Sequence, residues 1–263
     1  MVGGKNVVYE VLRAGRRRVD RLLLAEGAQR RGRLASVLEQ ASVAGIPIEE
    51  LPRAALERLV PGNPGVLAEV EPYPYASLSD ILERVRLAGE SAMILLLDLL
   101  QDPQNFGTLL RTAEAVGVHG VVLPKHGCVG ITSAVVGASA GASEHLLVAR
   151  DNLARAIDTL REQGLWAVGL ENSPQALPLD QADLARPLAL VVGSEGEGMR
   201  RLVRERCDFL VRLPMRGRVE SLNAAVAGSV ALYAAWAARQ YRGAGAAGQA
   251  DAGERFIDGG SDC

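Results

Sequence analysis

Two features of the 263-residue chain predict an α/β protein built from two parts. Short, almost uninterrupted apolar runs at residues 92–97, 120–123, 146–149, 165–170 and 188–192 alternate with helical stretches. That alternation is the pattern of a mostly parallel sheet covered by helices on both faces. Ahead of these runs, residues 7–70 alternate helical and extended pieces on a smaller scale, and Glu71-Pro72-Tyr73-Pro74-Tyr75 separates the two regions. Each proline there lacks an N–H and restricts the residue before it, so no regular element continues through the run. A small α/β domain is therefore expected over residues 1–76, a linker helix over 77–90, the main α/β domain over 91–241 and a disordered tail over 242–263.

In the first part, residues 7–14 and 34–44 read as helices, 21–24 as a short apolar strand, and 52–60 as a further helical piece after Pro47-Ile48. The linker helix follows from Leu78, Ile81, Leu82 and Val85, the i, i+3, i+4, i+7 spacing of one helix face. After Tyr241 the glycine- and alanine-rich run offers too little apolar bulk to offset ordering entropy, hence the expected tail. Deleting Met1 to Ser77 is expected to leave small-ligand binding by the main domain intact and to weaken sharply the binding of the basic domain's partner.

The net charge of −2 hides an asymmetry. Lys5, Arg13, Arg16, Arg17, Arg18, Arg21, Arg30, Arg31 and Arg33 crowd the start against Glu10, Asp20 and Glu26. Such a cluster suits phosphate binding, though a solvated helix face has the same composition. The longest apolar stretch falls far short of the roughly 20 residues of a membrane span, and the N-terminus lacks an apolar signal segment. A cytoplasmic protein is expected. Cys128, Cys207 and Cys263 lie far apart, and His119, His126 and His145 do not join them in a zinc-like spacing, so reduced thiols and no metal are expected.

Three stretches carry candidate chemistry. The first, Asp102-Pro103-Gln104-Asn105-Phe106-Gly107-Thr108 leading to Arg111-Thr112-Ala113, follows a strand and enters a helix. Asp102 suits the N-cap and Pro103 the first helical position. Phe106, Leu109, Leu110, Ala113 and Val116 share one face of that helix; Asn105, Thr108, Arg111 and Thr112 share the other. Alone, this is an ordinary surface helix with an exposed arginine. The second, Gly193-Ser194-Glu195-Gly196-Glu197-Gly198, is a glycine-rich turn after a strand. It admits a ligand close to the backbone, and its two carboxylates disfavour a phosphate there. The third, Leu213-Pro214-Met215-Arg216-Gly217-Arg218-Val219-Glu220-Ser221-Leu222-Asn223, precedes a long apolar helix that Ser221 is placed to cap.

Taken together, these stretches resemble the three motifs of the SpoU/TrmH family of RNA 2′-O-ribose methyltransferases: an acidic-Pro-x-Asn-x-Gly run with Arg-Thr-Ala, a Gly-x-Glu-Gly-x-Gly turn, and Pro-Met-x-Gly-x-x-x-Ser-Leu-Asn. The resemblance implies a SPOUT α/β domain whose C-terminal segment is tucked into a deep trefoil knot. It implies Asn105, Arg111, Glu195, Ser221 and Asn223 in the active site, and Leu170, Gly193, Leu213, Met215 and Leu222 around S-adenosylmethionine. It also implies a homodimer. The N-terminal part, from Gly4-Lys5-Asn6-Val7, resembles the L30e-like substrate-binding domain of the ribosomal RNA branch, which makes RNA the partner and Lys5, Arg13, Arg16, Arg17 and Arg18 its candidate contacts. A guanosine of 23S rRNA in the peptidyl-transferase region is the expected target, with an adenosine of the same rRNA as the alternative. A non-catalytic RNA-binding or ribosome-assembly protein is the rival from another class. A nicotinamide-dependent dehydrogenase is disfavoured, because its glycine fingerprint belongs in the first strand-to-helix turn, here residues 98–107, which lack it.

Overall fold

The computed structural model describes residues 1–60, 62, 65–194, 196, 198–219 and 221–244. Glu195 and the expected tail from residue 245 onward lie outside them; residues 241–244 form a turn closing the last helix.

The N-terminal part runs β1 (Val2–Gly3), α1 (Lys5–Ala14), β2 (Val19–Ala25), α2 (Arg33–Val43), β3 (Ile48–Leu51), α3 (Arg53–Leu59) and β4 (Val66–Val70). Its sheet has the order β1-β4-β2-β3, with β4 antiparallel to β1 and β2 and with β2 parallel to β3. Val8, Val11, Leu22, Leu24, Val37 and Ala41 are buried between sheet and helices. Next comes α4 (Leu78–Ala88), fixed at its start by a reciprocal capping box in which Ser77 and Asp80 satisfy each other's backbone N–H groups.

The larger part runs β5 (Met93–Leu97), α5 (Pro103–Ala115), β6 (Gly120–Pro124), α6 (Ser133–Ala138), a 3₁₀ turn (Ala142–His145), β7 (Val148–Asp151), α7 (Leu153–Glu162), β8 (Trp166–Leu170) and β9 (Leu177–Pro178). A second 3₁₀ turn (Leu179–Gln181), β10 (Leu188–Val192), α8 (Arg201–Arg206), β11 (Phe209–Arg212) and α9 (Ala224–Ala238) complete it. The seven strands form one wholly parallel sheet of order β7-β6-β5-β10-β8-β11-β9. Alternate residues of β5 enter different cores: Leu95 and Leu97 pack with α5 and α9, whereas Ile94 and Leu96 pack with α7. Burial on both faces explains why these strands are continuously apolar. The short strands β9 and β11 are additions that the apolar pattern does not show, and β7 begins two residues later than expected. On α9 the structure replaces Ser221 with Asn223 as the cap: the Asn223 carboxamide oxygen accepts from Ala225 N (3.0 Å) and Val226 N (3.2 Å).

The two parts are docked firmly. The Arg17 guanidinium bonds both carboxylate oxygens of Glu144 (3.0 and 2.5 Å), and these side chains retain only 5% and 1% of their exposure. Arg16 donates to the Tyr73 hydroxyl (3.1 Å), to Pro74 O (3.2 Å) and to Leu146 O. Tyr73 itself donates to Leu146 O (2.6 Å), and His145 Nε2 meets Glu10 at 2.8 Å. Val136 of α6 joins the N-terminal core. Arg16 and Arg17, expected to contact RNA phosphates, have their guanidinium groups engaged in the joint between the parts. Arg13 and Arg18 remain on the surface, Arg13 near Glu10 and Arg18 paired with Asp20 and Glu71. Lys5 is exposed.

Candidate active site

A cavity of about 710 Å³ opens at the carboxyl ends of β8, β10 and β11, the edge of a parallel sheet where loops converge and ligands bind. Leu170, Gly193, Leu213, Met215 and Leu222, the five expected cofactor contacts, all line it, as do Ser221 and Asn223. The lining is apolar on one side through Leu170, Val192, Leu213 and Ala227. The other side is the glycine-rich turn, closed by paired backbone hydrogen bonds between Ser194 and Gly198 (3.0 and 3.1 Å). Gly196 and Gly198 have φ of 86° and 69°, the left-handed region that only glycine occupies readily. At Gly193 a Cβ atom would sit 2.3 Å from the Gly198 carbonyl carbon, so glycine is required for the turn to fold back on its strand.

The first and third motifs meet. Asp102 caps α5 by accepting from Asn105 N (2.9 Å), with Pro103 in its first turn. The Asn105 side-chain oxygen in turn accepts from Asn223 Nδ2 at 2.9 Å. Asn223 therefore joins three features: the start of α9, the start of α5 and the cavity wall. Helices α5 and α9 are also tied by Thr112 and Ser229, whose hydroxyls lie 2.9 Å apart, and Gly228 lets the Leu109 side chain pack where a Cβ would come within 2.7 Å.

Arg111 is exposed on the polar face of α5, as the helical spacing requires, and lies outside the cavity wall of its own chain. Glu195 lies outside the described residues. Ser221 is exposed beside the cavity, without the capping role expected of it.

Two positioning groups escaped sequence reasoning. Asp98, fully buried at the end of β5, accepts from the backbone N–H and Nε of Arg200 (both 2.8 Å), and so pins the segment leaving the glycine-rich turn. A carboxylate directly after five apolar strand residues was the available signal, since buried charge is rarely accidental. Glu171, after β8, accepts from Arg204 Nε (2.9 Å), and both side chains line the cavity. Nothing in their spacing marks them, because the pairing is made only by the fold. Among the described residues neither thiol is a nucleophile candidate: burial pushes Cys207 up to about 12 and raises Cys128. Among the described residues no group of acidic, His or Cys side chains is arranged to hold a metal, and no helix is long and apolar enough to cross a membrane.

Comparison with known proteins gives the same family. The SpoU rRNA Methylase family model matches residues 92–233, and the model described as RNA 2′-O ribose methyltransferase substrate binding matches residues 1–76. YacO of Bacillus subtilis (strain 168), named for the TrmH family of tRNA/rRNA methyltransferases, is 46% identical over 232 residues, covering 88% of this chain and 92% of its own. A Staphylococcus aureus (strain MSSA476) relative with the same family name is 39% identical, covering 89% and 94%. Among solved structures, one described as an RNA 2′-O ribose methyltransferase superposes with a TM-score of 0.73 at 27% identity, covering 91% of this chain and 88% of the other. AviRb from Streptomyces viridochromogenes, a SpoU methyltransferase solved with AdoMet, shares the fold with a TM-score of 0.74 at 24% identity over 91% and 89% of the two chains. With its second and third motifs lining one cavity, the first bonded to the third through Asn105 and Asn223, and the family model covering more than half its length, this chain belongs to the SpoU methylase family of RNA methyltransferases.

Proposed function

We propose that the protein transfers the methyl group of S-adenosylmethionine to a ribose 2′-hydroxyl of RNA, with a guanosine of 23S rRNA as the target. The observation that carries this is the meeting of the motifs: Asn223, on the wall shared by Leu170, Gly193, Leu213, Met215 and Leu222, is bonded to Asn105 of the first motif. The residues present fit the cofactor. An apolar wall suits an adenosine, the bare backbone at Gly193 admits close approach, and the carboxylate of Glu171 can accept hydrogen bonds from hydroxyl or ammonium groups. When bound, the cofactor supplies an already activated methyl group.

The chain's own residues then align the hydroxyl and manage its proton. A guanidinium stays protonated at any physiological pH. Arg111 accordingly acts by holding an RNA phosphate, which takes up the hydroxyl proton, and by stabilising the developing alkoxide, while Asn105, Asn223 and Glu195 orient the groups around it. Ser221, at the cavity mouth, is placed to contact the ribose.

The reading includes a homodimer, in which a second copy brings RNA-binding groups to the cavity. Val226, Val230 and Tyr233 form an exposed apolar stripe along α9, spaced i, i+4, i+7, which supports it. It also includes the trefoil knot, supported by insertion of β10 between β5 and β8 before the chain returns to pack α9 on α5. The L30e-like reading of the domain over residues 1–76, the main domain over 91–241 and a cytoplasmic site of action complete it.

The test is incubation with labelled S-adenosylmethionine and unmodified 23S rRNA, with tRNA beside it, and mapping of the product by resistance to alkaline cleavage. One protected guanosine is the expected result. A protected adenosine, or transfer to tRNA alone, overturns the target assignment; no transfer to either RNA despite cofactor binding favours a non-catalytic RNA-binding role.

A further inference from the structure

Several basic side chains of the N-terminal domain are already engaged. Arg17 holds Glu144, Arg18 holds Asp20 and Glu71, Arg21 holds Glu49 and Glu69, and Arg30 holds Glu50. Arg16 is spent on the Tyr73 hydroxyl and backbone carbonyls. Lys5, Arg31, Arg33, Arg53 and Arg58 differ: they are exposed, and among the described residues none of the five has a carboxylate partner. Of these, Lys5, Arg31 and Arg53 share one place. They come from three separate segments, the start of α1, the loop before α2 and the start of α3, yet they border a single cavity of about 340 Å³. That size lies at the small end of ligand pockets, about 300–1,000 Å³.

Gathering three cations around one hollow is unfavourable unless something negative occupies it. One carboxylate, Glu26, lines the same cavity and leaves a positive excess. Helices α1 and α2 also direct their N-terminal ends toward this region with no side-chain cap and no acidic residue in the first turn, so their dipoles add to the same sign. Between them Gly27, with φ of 70°, exposes bare backbone on the rim, with open space where a side chain would stand.

We propose that this cavity seats a backbone phosphate of the RNA strand, clamped by Lys5, Arg31 and Arg53. The proposal rests on the RNA methyltransferase reading above and moves the domain's principal RNA contact away from the Arg16–Arg18 run. Phosphate contacts fix position without reading bases. The seat therefore holds the substrate in register while the nucleotide to be methylated reaches the cavity at the ends of β8 and β10.

The experiment is a titration of the full-length protein with an unmodified 23S rRNA transcript at several salt concentrations, comparing wild type, Arg31→Ala/Arg53→Ala and Arg21→Ala/Arg86→Ala. Both double variants remove two exposed positive charges, but Arg21 and Arg86 are paired with carboxylates. Each lost phosphate contact lowers the slope of log Kd against log salt by about 0.7–0.9. Arg31→Ala/Arg53→Ala should therefore reduce the slope by about 1.5 and weaken binding, with an unchanged circular dichroism spectrum and melting temperature as evidence of an intact fold. Arg21→Ala/Arg86→Ala should leave the slope as in wild type. Equal slopes for all three proteins, or equal losses in both variants, overturn the seat while leaving the RNA-binding reading in place. Failure of the wild type itself to bind the transcript overturns both.

Discussion

Asn223 performs two tasks through opposite ends of one carboxamide. Its oxygen caps α9 by accepting from two backbone N–H groups, and its nitrogen donates to Asn105 across the cavity rim. Substitution separates the tasks. Asn223→Asp keeps an acceptor for the cap and loses the donor toward Asn105, so thermal stability should stay near wild type while methyl transfer falls by tenfold or more, roughly the effect of losing one oriented hydrogen bond near the reacting groups. Asn223→Ala removes the cap as well and should lose about 1 kcal/mol of stability on top. Melting curves and single-turnover rates of both variants make the check. An aspartate variant that transfers at the wild-type rate would reduce Asn223 to a cap and remove it from the active site.

At the scale of elements, α5 and β6 are joined by a turn that buries His119 against β5, where Met93 N–H donates to Nδ1 at 3.2 Å. Burial lowers the His119 pKa below its ordinary value of 6.5, the Glu90 carboxylate nearby notwithstanding. The folded chain thus holds this imidazole neutral while the unfolded chain takes up a proton as the pH falls through 6.5, so the stability contribution is complete above that value and is lost progressively below it. Urea midpoints measured between pH 8 and pH 5 should fall toward acid in the wild type and fall less in His119→Gln; parallel profiles would assign the acid sensitivity to other groups. The neighbouring strands were legible in the sequence because β5, β6, β8 and β10 are buried on both faces and so are written almost wholly in apolar residues. The four-residue β11 and two-residue β9 sit at one side of the sheet with half-exposed positions, and carry no such mark. The cavity wall was legible for a different reason, since Gly193, Leu213, Met215 and Leu222 fall inside motifs whose spacing is preserved without gaps. The start of α9 was misplaced because Ser221 and Asn223 are both good caps, and only the backbone path chooses between them. The Arg17–Glu144 pair was not legible because a basic run looks the same whether its charges face water or a carboxylate 127 residues away.

For the whole molecule, that same pair decides whether the two parts are independent. Glu144 is buried at the base of the joint, and burial pushes its carboxyl up from the ordinary glutamate range against the pull of Arg17. A carboxyl raised in the folded state holds its proton more tightly there than in the unfolded chain, so the ionised form becomes a net burden as the pH rises past the ordinary glutamate value. The pair therefore specifies how the parts dock more than it stabilises them. Four variants separate these effects. Arg17→Ala strands a buried charge and should lose about 3–5 kcal/mol at neutral pH, whereas Arg17→Met/Glu144→Leu, which replaces both charges with apolar groups of similar size, should lie within about 1 kcal/mol of wild type. Removal of residues 1–77 takes away Arg17 together with the Tyr73 hydroxyl and the core that covers Val136. The isolated main domain should therefore be far less stable than separable parts would imply, and Glu144→Leu within it should recover part of the loss. Chemical denaturation of the four proteins reads all of this directly. A truncated domain as stable as its Glu144→Leu counterpart would mean that the carboxylate escapes to water once the joint is gone, and that the N-terminal domain is a removable module after all.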